Sequence, residues 1–169
     1  MEIKDYIAAL ETAVGDAKQG LAKDVFLFAS RLTPMVNVEL LIKNGQNKTL
    51  LTWREDEYYG PGWHLPGGVV RFKETVSARI QAVAAREIGA SVKFGKDPLA
   101  MNEIMNSTRD TRGHFISFLY ECSLMSSPDR SLEYKIGPIK NGQWAWHVDC
   151  PENLIAVHEI YRNYITGLD

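Results

Sequence analysis

Apolar positions near the start of the chain recur at helical spacing: Ile3, Tyr6, Ile7, Leu10, Ala13 and Val14 share one stripe, and Gly20 supplies a stop. A helix over residues 1–19 follows from that pattern. Val25-Phe-Leu-Phe28 is too short to choose between helix and strand. From Met35 to Lys43 the period changes to two, with Val36, Val38, Leu40 and Ile42 set against Asn37 and Glu39, which predicts a half-buried strand. Asn44-Gly45 turns the chain into a second strand over residues 49–54. A loop rich in Gly and Pro, residues 59–68, precedes a segment of helical spacing at 75–87. Residues 99–106 and 114–123 read as strands joined by a polar tip, and a long loop, 124–142, leads to a short aromatic strand at 143–147. Residues 155–165 read as a C-terminal helix. Strands on both sides of a central helix predict an α/β fold, a mixed sheet flanked by helices.

Composition narrows the classes. A chain of 169 residues, 45% hydrophobic and with a net charge of -2, is long enough for one well-buried core. The organisation expected is an N-terminal helical extension, residues 1–34, followed by one domain, 35–169. No basic excess points to nucleic acid, whose phosphates demand clustered Lys and Arg. No stretch approaches the roughly 18 apolar residues that span a membrane, and Met1-Glu-Ile-Lys-Asp-Tyr6 lacks the apolar run of a secretory signal. Cys122 and Cys150 have no metal-type spacing. A cytoplasmic protein is expected. The apolar stripe of the first helix either covers the domain or joins a homodimer.

The chemistry concentrates around residues 54–89. In a helix over 75–87, Val76, Ile80, Val83 and Glu87 share a stripe at i, i+4, i+7 and i+11, so Glu87 continues an apolar face. A carboxylate there needs a cation or several hydrogen bonds, unless it merely frays into solvent. Gly67-Gly68 can bring main-chain amides and carbonyls close to a ligand. Glu74 stands at the helix start, where free amides and the helix dipole favour a carboxylate. Four histidines are candidates for a base. Of these His114 follows the polar tip, His64 adjoins the Gly-Gly turn as a structural or stacking residue, His147 ranks below His114, and His158 reads as packing in the C-terminal helix. Arg109 and Arg112 read as a solvated tip, with phosphate or a carboxylated sugar as the alternative partner. Tyr58-Tyr59 is the better stacking platform, and at least one of Trp63, Trp144 and Trp146 belongs to the core.

Gly68, Glu74, Glu87 and Gly89 stand in the register of the Nudix box: Gly, five residues, Glu, seven residues, then Arg-Glu-U-x-Glu-Glu-x-Gly-U with U a bulky aliphatic. The chain therefore resembles the Nudix hydrolases, and the resemblance implies an α/β/α sandwich. Four positions depart from the box: Ala82 stands for the Arg, Val83 and Arg86 for two of the three acids, and Ala84 for the first aliphatic residue. The family's water attack on phosphorus uses several carboxylates to hold Mg²⁺. The orienting Arg and the acid it orients are lost together, which argues against a multi-metal cluster on this helix.

A box keeping only its last acid is similar to that of the GDP-mannose mannosyl hydrolase branch, where water attacks the anomeric carbon and the nucleoside diphosphate departs with metal help. That resemblance spans roughly Val36 to Trp146. It implies one Mg²⁺ (Mn²⁺ as substitute) held by Glu87, a Gly67 or Gly68 carbonyl and the diphosphate, with Glu74 secondary. It also implies that Arg54 steadies the leaving group and that Glu39 contacts the sugar, Glu39 otherwise reading as part of a solvated strand face. Tyr58, Gly67 and Gly68 would line the substrate, a nucleotide sugar or other nucleoside diphosphate derivative. The branch's Gln-His pair, metal ligand and base, falls on Lys140-Asn141, although a slip of the loop brings Gln143 into the ligand role. Two other functions stay open. One is phosphorus attack with acids from outside the box, such as Glu103 or Glu121; the other is a nucleotide-sugar binding module without turnover.

Overall fold

The centre of the molecule is β1 (Met35–Lys43), which pairs with neighbours on both sides and carries apolar residues toward both covers of the sheet. A computed structural model of the chain describes residues 2–166; Met1 and residues 167–169, the outer ends of the expected extension and domain, lie outside the described residues. On one face of β1, Val38, Leu40 and Ile42 are wholly buried against α3 (Val76–Ile88). On the other, Leu41 joins Leu51, Trp53, Trp63, Leu119, Tyr161 and Ile165 under the C-terminal segment. The half-buried strand expected from alternation is thus buried on both faces. Asn37 and Glu39 sit inside, Glu39 only 6% exposed, so the solvated strand face is corrected.

Around β1 the sheet is mixed. It pairs antiparallel with β2 (Thr49–Arg54) and parallel with β7 (His114–Leu124), Glu39 lying opposite Leu119. Two short strands inside the Gly/Pro-rich loop, β3 (Gly62–His64) and β4 (Gly67–Val69), pair with β2 and β1 respectively. β5 (Val92–Phe94) and β6 (Ala100–Met105) both flank β7, and β8 (Trp144–His147) pairs with β2.

Helix α3 is bounded by its own sequence. Thr75 Oγ1 accepts from the Ala78 amide at 3.1 Å, and Gly89 stops the helix in the left-handed region at φ 64°, its amide donating to Ala85 O. Ile80, Val83 and Ile88 are fully buried, each contributing roughly 1.5–3 kcal/mol. Packing therefore fixes the roll of α3, and that roll points Glu87 toward the β1–β4 side.

The expected helix over residues 1–19 is shorter, α1 (Ile3–Val14), because Gly15 breaks it at φ 63°. A single 3-10 turn, Ala17–Gln19, follows, and the ambiguous segment becomes α2 (Lys23–Ala29). No residue of α1 is buried; Ile3, Tyr6, Ile7 and Leu10 all face solvent. The C-terminal helix is likewise corrected to a 3-10 stretch, Ala156–Tyr161, continued by a short α4 (Arg162–Thr166). That segment is pinned where Lys43 Nζ and Thr49 Oγ1 donate to Ile165 O and Tyr161 Oη donates to Ser117 Oγ. No described helix is long and apolar enough to cross a membrane.

Candidate functional site

At the end of α3, between β1, β4 and the 3-10 segment, opens a cleft of about 530 Å³. Its lining includes Asn37, Glu39, Trp53, Arg54, Gly67, Arg86, Glu87, Arg112 and His158. Buried polar atoms are normally hydrogen-bonded. Among the described residues six buried side-chain atoms are not, and four of them, Asn37 Oδ1, Glu39 Oε2, Trp53 Nε1 and Arg112 Nε, belong to residues lining this cleft. That concentration makes the cleft the candidate site for a polar ligand.

Glu39 is held by one oxygen and free at the other. Asn37 Nδ2 donates to Oε1 at 2.6 Å, and His158 Nε2 lies 3.5 Å from the same atom. His158 Nδ1 accepts the Leu65 amide at 3.1 Å, so in the neutral ring the proton resides on Nε2 and faces Glu39. Burial, reinforced by Arg54, pushes the His158 pKa down to about 3, and the contact is neutral histidine to carboxyl rather than an ion pair. Burial also raises the Glu39 pKa well above the usual carboxylate range, Arg54 and Asn37 pulling against it. Oε2 lies against Gly67: a Cβ at that position would overlap it. Only glycine lets the strand pass the carboxylate.

Glu87 completes the acidic floor. Its Oε1 accepts from Arg86 Nη2 at 3.1 Å, and Oε2 lies 3.4 Å from the Thr52 hydroxyl. Thr52 Oγ1 in turn contacts His64 Nε2 at 2.9 Å. Burial raises the Glu87 pKa to about 7, Arg86 opposes that, and Glu39 adds to it. Burial and the neighbouring His158 and Arg54 keep His64 neutral by holding its pKa well below the usual histidine value.

The opposite wall is cationic and aromatic. Arg54 Nε donates to Asp56 Oδ2 at 2.6 Å while its guanidinium lies 4.7 Å from the Tyr59 ring centre. Asp56 Oδ1 accepts the Tyr58 and Tyr59 amides, which shapes the turn after β2. Arg112 takes a left-handed backbone at φ 54°, its amide donates to Ser30 Oγ, and its guanidinium lies 4.8 Å from Tyr58 and 5.3 Å from Phe26. The N-terminal extension thus helps seat a cleft arginine. Read from sequence as a solvated tip, Arg112 instead turns inward.

Of the residues singled out in the sequence, Arg54, Glu39, Gly67, Gly68 and Glu87 come together in the cleft. Tyr58 stands behind Arg112, stacked on it. Glu74 is elsewhere: both its oxygens bind the buried Arg79 guanidinium, at 2.8 and 2.9 Å, and Oε2 also accepts the Arg71 amide. His114 is also apart, paired with the exposed Glu103 at 2.9 Å on the β6–β7 edge. Glu103 and Glu121 do not line the cleft, so the acids expected outside the box do not converge on Glu87; Glu39 does. Asn141 lines the cleft and accepts the Glu55 amide, whereas Gln143 Oε1 caps the Lys140 amide. Trp63 and Trp144 are core residues. His158 was the residue hidden from sequence, since its single apolar neighbourhood reads as packing. The buried polar pair Asn37 and Glu39 in the central strand was the available signal.

No family model matches the chain. Solved structures do. The MutT Nudix hydrolase of Burkholderia pseudomallei superposes with a TM-score of 0.61 at 20% identity, over 79% of this chain and 99% of that one. The MutT protein of Methanosarcina mazei Go1 gives 0.59 at 17% identity, over 79% and 94%. The chain has the Nudix fold. A UDP-X diphosphatase is also similar, with a TM-score of 0.54 at 17% identity over 91% of this chain and 64% of that one. In sequence, the low-salt glycan biosynthesis protein Agl8 of Haloferax volcanii is 32% identical over 95 residues. That stretch covers 54% of this chain and 60% of the length of Agl8.

Nudix hydrolases generally use a divalent cation, and the ligands expected for Mg²⁺ or Mn²⁺ here are Gly67, Glu87 and Glu74. As a set these three residues do not fit one. Glu87 has one oxygen on the Arg86 guanidinium and the other on Thr52, and Glu74 is saturated by Arg79. Among the described residues no three His, Cys, Asp or Glu side chains are grouped to hold a metal. Magnesium asks for an octahedral shell of oxygens, and a cation at Glu87 would meet the charge of Arg86 as well.

Proposed function

We propose that the chain hydrolyses a nucleoside diphosphate sugar, with water attacking the anomeric carbon and the nucleoside diphosphate leaving. The observation that carries this reading is the free, buried Oε2 of Glu39 in the same cleft as Arg54, Arg86 and Arg112. A carboxylate with a raised pKa is suited to accept a proton near neutrality. In the reaction, Glu39 Oε2 takes the proton of the attacking water as the new C1–O bond forms. The bond from C1 to the bridging oxygen breaks, and its electron pair leaves on the diphosphate. Asn37 and His158 hold Glu39 Oε1, which leaves Oε2 as the unpartnered oxygen. The arginines stabilise the charge that develops on the leaving diphosphate, a role suited to guanidinium forks.

The likeness to Agl8, a glycan biosynthesis protein by name, supports a sugar donor such as GDP-mannose as the substrate. A second reading, attack on phosphorus, uses the same Glu39 and Glu87 and is favoured by the likeness to a UDP-X diphosphatase. Incubation with a panel of nucleotide sugars, with products separated by mass, tests the first. Free sugar and intact nucleoside diphosphate are expected; nucleoside monophosphate and sugar phosphate would support the second. Calorimetric binding without any product would leave a binding module.

A further inference from the structure

We propose that Arg86 is the built-in counter-charge of the diphosphate site, so that the cleft takes a diphosphate without a divalent metal. The inference rests on the diphosphate reading above and adds to it how the charge is met. Arg86 lies in the last turn of α3, and its Nη2 is 3.1 Å from Glu87 Oε1 and 3.8 Å from where a Cβ on Gly68 would stand. The guanidinium therefore bridges the helix end and the Gly67-Gly68 turn, at the mouth of the cleft.

That location excludes a rival cation on two grounds. Glu87 Oε1 already accepts from Arg86, and Oε2 lies 3.4 Å from the Thr52 hydroxyl. Nearby Glu39 offers a single free oxygen, and that one lies against Gly67. Like charges a few ångströms apart repel, and a dication is repelled twice as strongly as a single charge. Arginine, by contrast, binds phosphate oxygens through a planar fork and is only weakly hydrated.

The charge inventory of the cleft agrees. Arg54 is matched by Asp56 and Arg86 by Glu87, while among the described residues Arg112 has no carboxylate partner and an unpartnered Nε. Arg112 is thus the fixed anchor. Arg86, whose side chain is 61% exposed, keeps one N–H on Glu87 and offers its remaining donors to an arriving phosphate. A diphosphate brought between them meets guanidinium groups from α3 and from the loop before β7.

The test is calorimetric binding of inorganic pyrophosphate to the full chain, in excess EDTA and in excess Mg²⁺, for wild type, Arg86→Ala and Arg86→Glu. Wild type is expected to bind equally well, within about threefold, in both conditions. Arg86→Ala should bind about 10–100-fold more weakly in EDTA, the worth of a hydrogen bond to a charged group. Arg86→Glu places a second carboxylate beside Glu87 and should bind only when Mg²⁺ is added. Wild-type binding that vanishes in EDTA and returns with Mg²⁺ overturns the role of Arg86 and leaves the diphosphate reading standing. Unchanged binding by Arg86→Ala in EDTA overturns it too. No pyrophosphate binding by wild type in either condition would remove the diphosphate site itself.

Discussion

Replacing Glu39 by Gln separates catalysis from stability more cleanly than any other change in this cleft. The amide keeps the shape of the side chain and an oxygen for Asn37 Nδ2 and His158 Nε2. It removes the proton acceptor at the Oε2 position. General-base catalysis is worth about 10²–10⁴ in rate, or about 3–5 kcal/mol in the barrier, so kcat should fall by that factor. KM should hardly move, because the diphosphate is held by the arginines. Stability should move the other way. Burial raises the folded pKa of Glu39 above its ordinary 4.5, so the folded state binds this proton more tightly than the unfolded state. The stability it contributes is full below about pH 4.5 and is lost as pH rises through the folded value. At pH 8 Glu39→Gln should therefore melt no lower than wild type. The assay is steady-state release of nucleoside diphosphate, with thermal melting beside it. Turnover retained within about threefold, under 1 kcal/mol, would refute Glu39 as the base; a joint loss of turnover and melting temperature would reduce it to a structural residue.

Further expectations follow from the same geometry. Glu87, raised by burial to about 7, contributes stability that is full below about pH 4.5 and lost as pH passes 7, so Glu87→Gln should raise the melting temperature at pH 8 and lose that advantage at pH 4. Gly67→Ala drives a Cβ into Glu39 Oε2 and should cost about 1–3 kcal/mol; chemical denaturation of Gly67→Ala with Glu39→Ala should show much of that cost recovered, since the shorter side chain vacates the space. Arg112→Lys loses the fork whose Nε faces the cleft, and steady-state kinetics should show KM raised by about tenfold or more with kcat little changed.

Much of this architecture was legible because it rests on periodicity and on two glycines. The stripe Val76, Ile80, Val83 and Glu87 predicts the roll of α3, and Gly89 stops it within one residue of the expected end. Short elements were not legible: β3, β4 and β5 have three residues each, fewer than a period-two pattern needs to declare itself. Local chemistry also misled where long-range contacts decide. Arg112 looks like loop decoration until Ser30 and Phe26 of the extension seat it. His158 looks like packing until Leu65 and Glu39, 93 and 119 residues away in sequence, claim its two nitrogens. Glu74 looked like a helix-start carboxylate with a second use at a metal, and Arg79, invisible as a partner in the box pattern, takes both its oxygens.

Product masses alone do not separate carbon attack from attack on the sugar-side phosphorus, since both release free sugar and nucleoside diphosphate. Turnover of a nucleotide sugar in ¹⁸O-labelled water does. Label is expected in the free sugar and none in the nucleoside diphosphate. Label in the phosphate, with an unlabelled sugar, would contradict it.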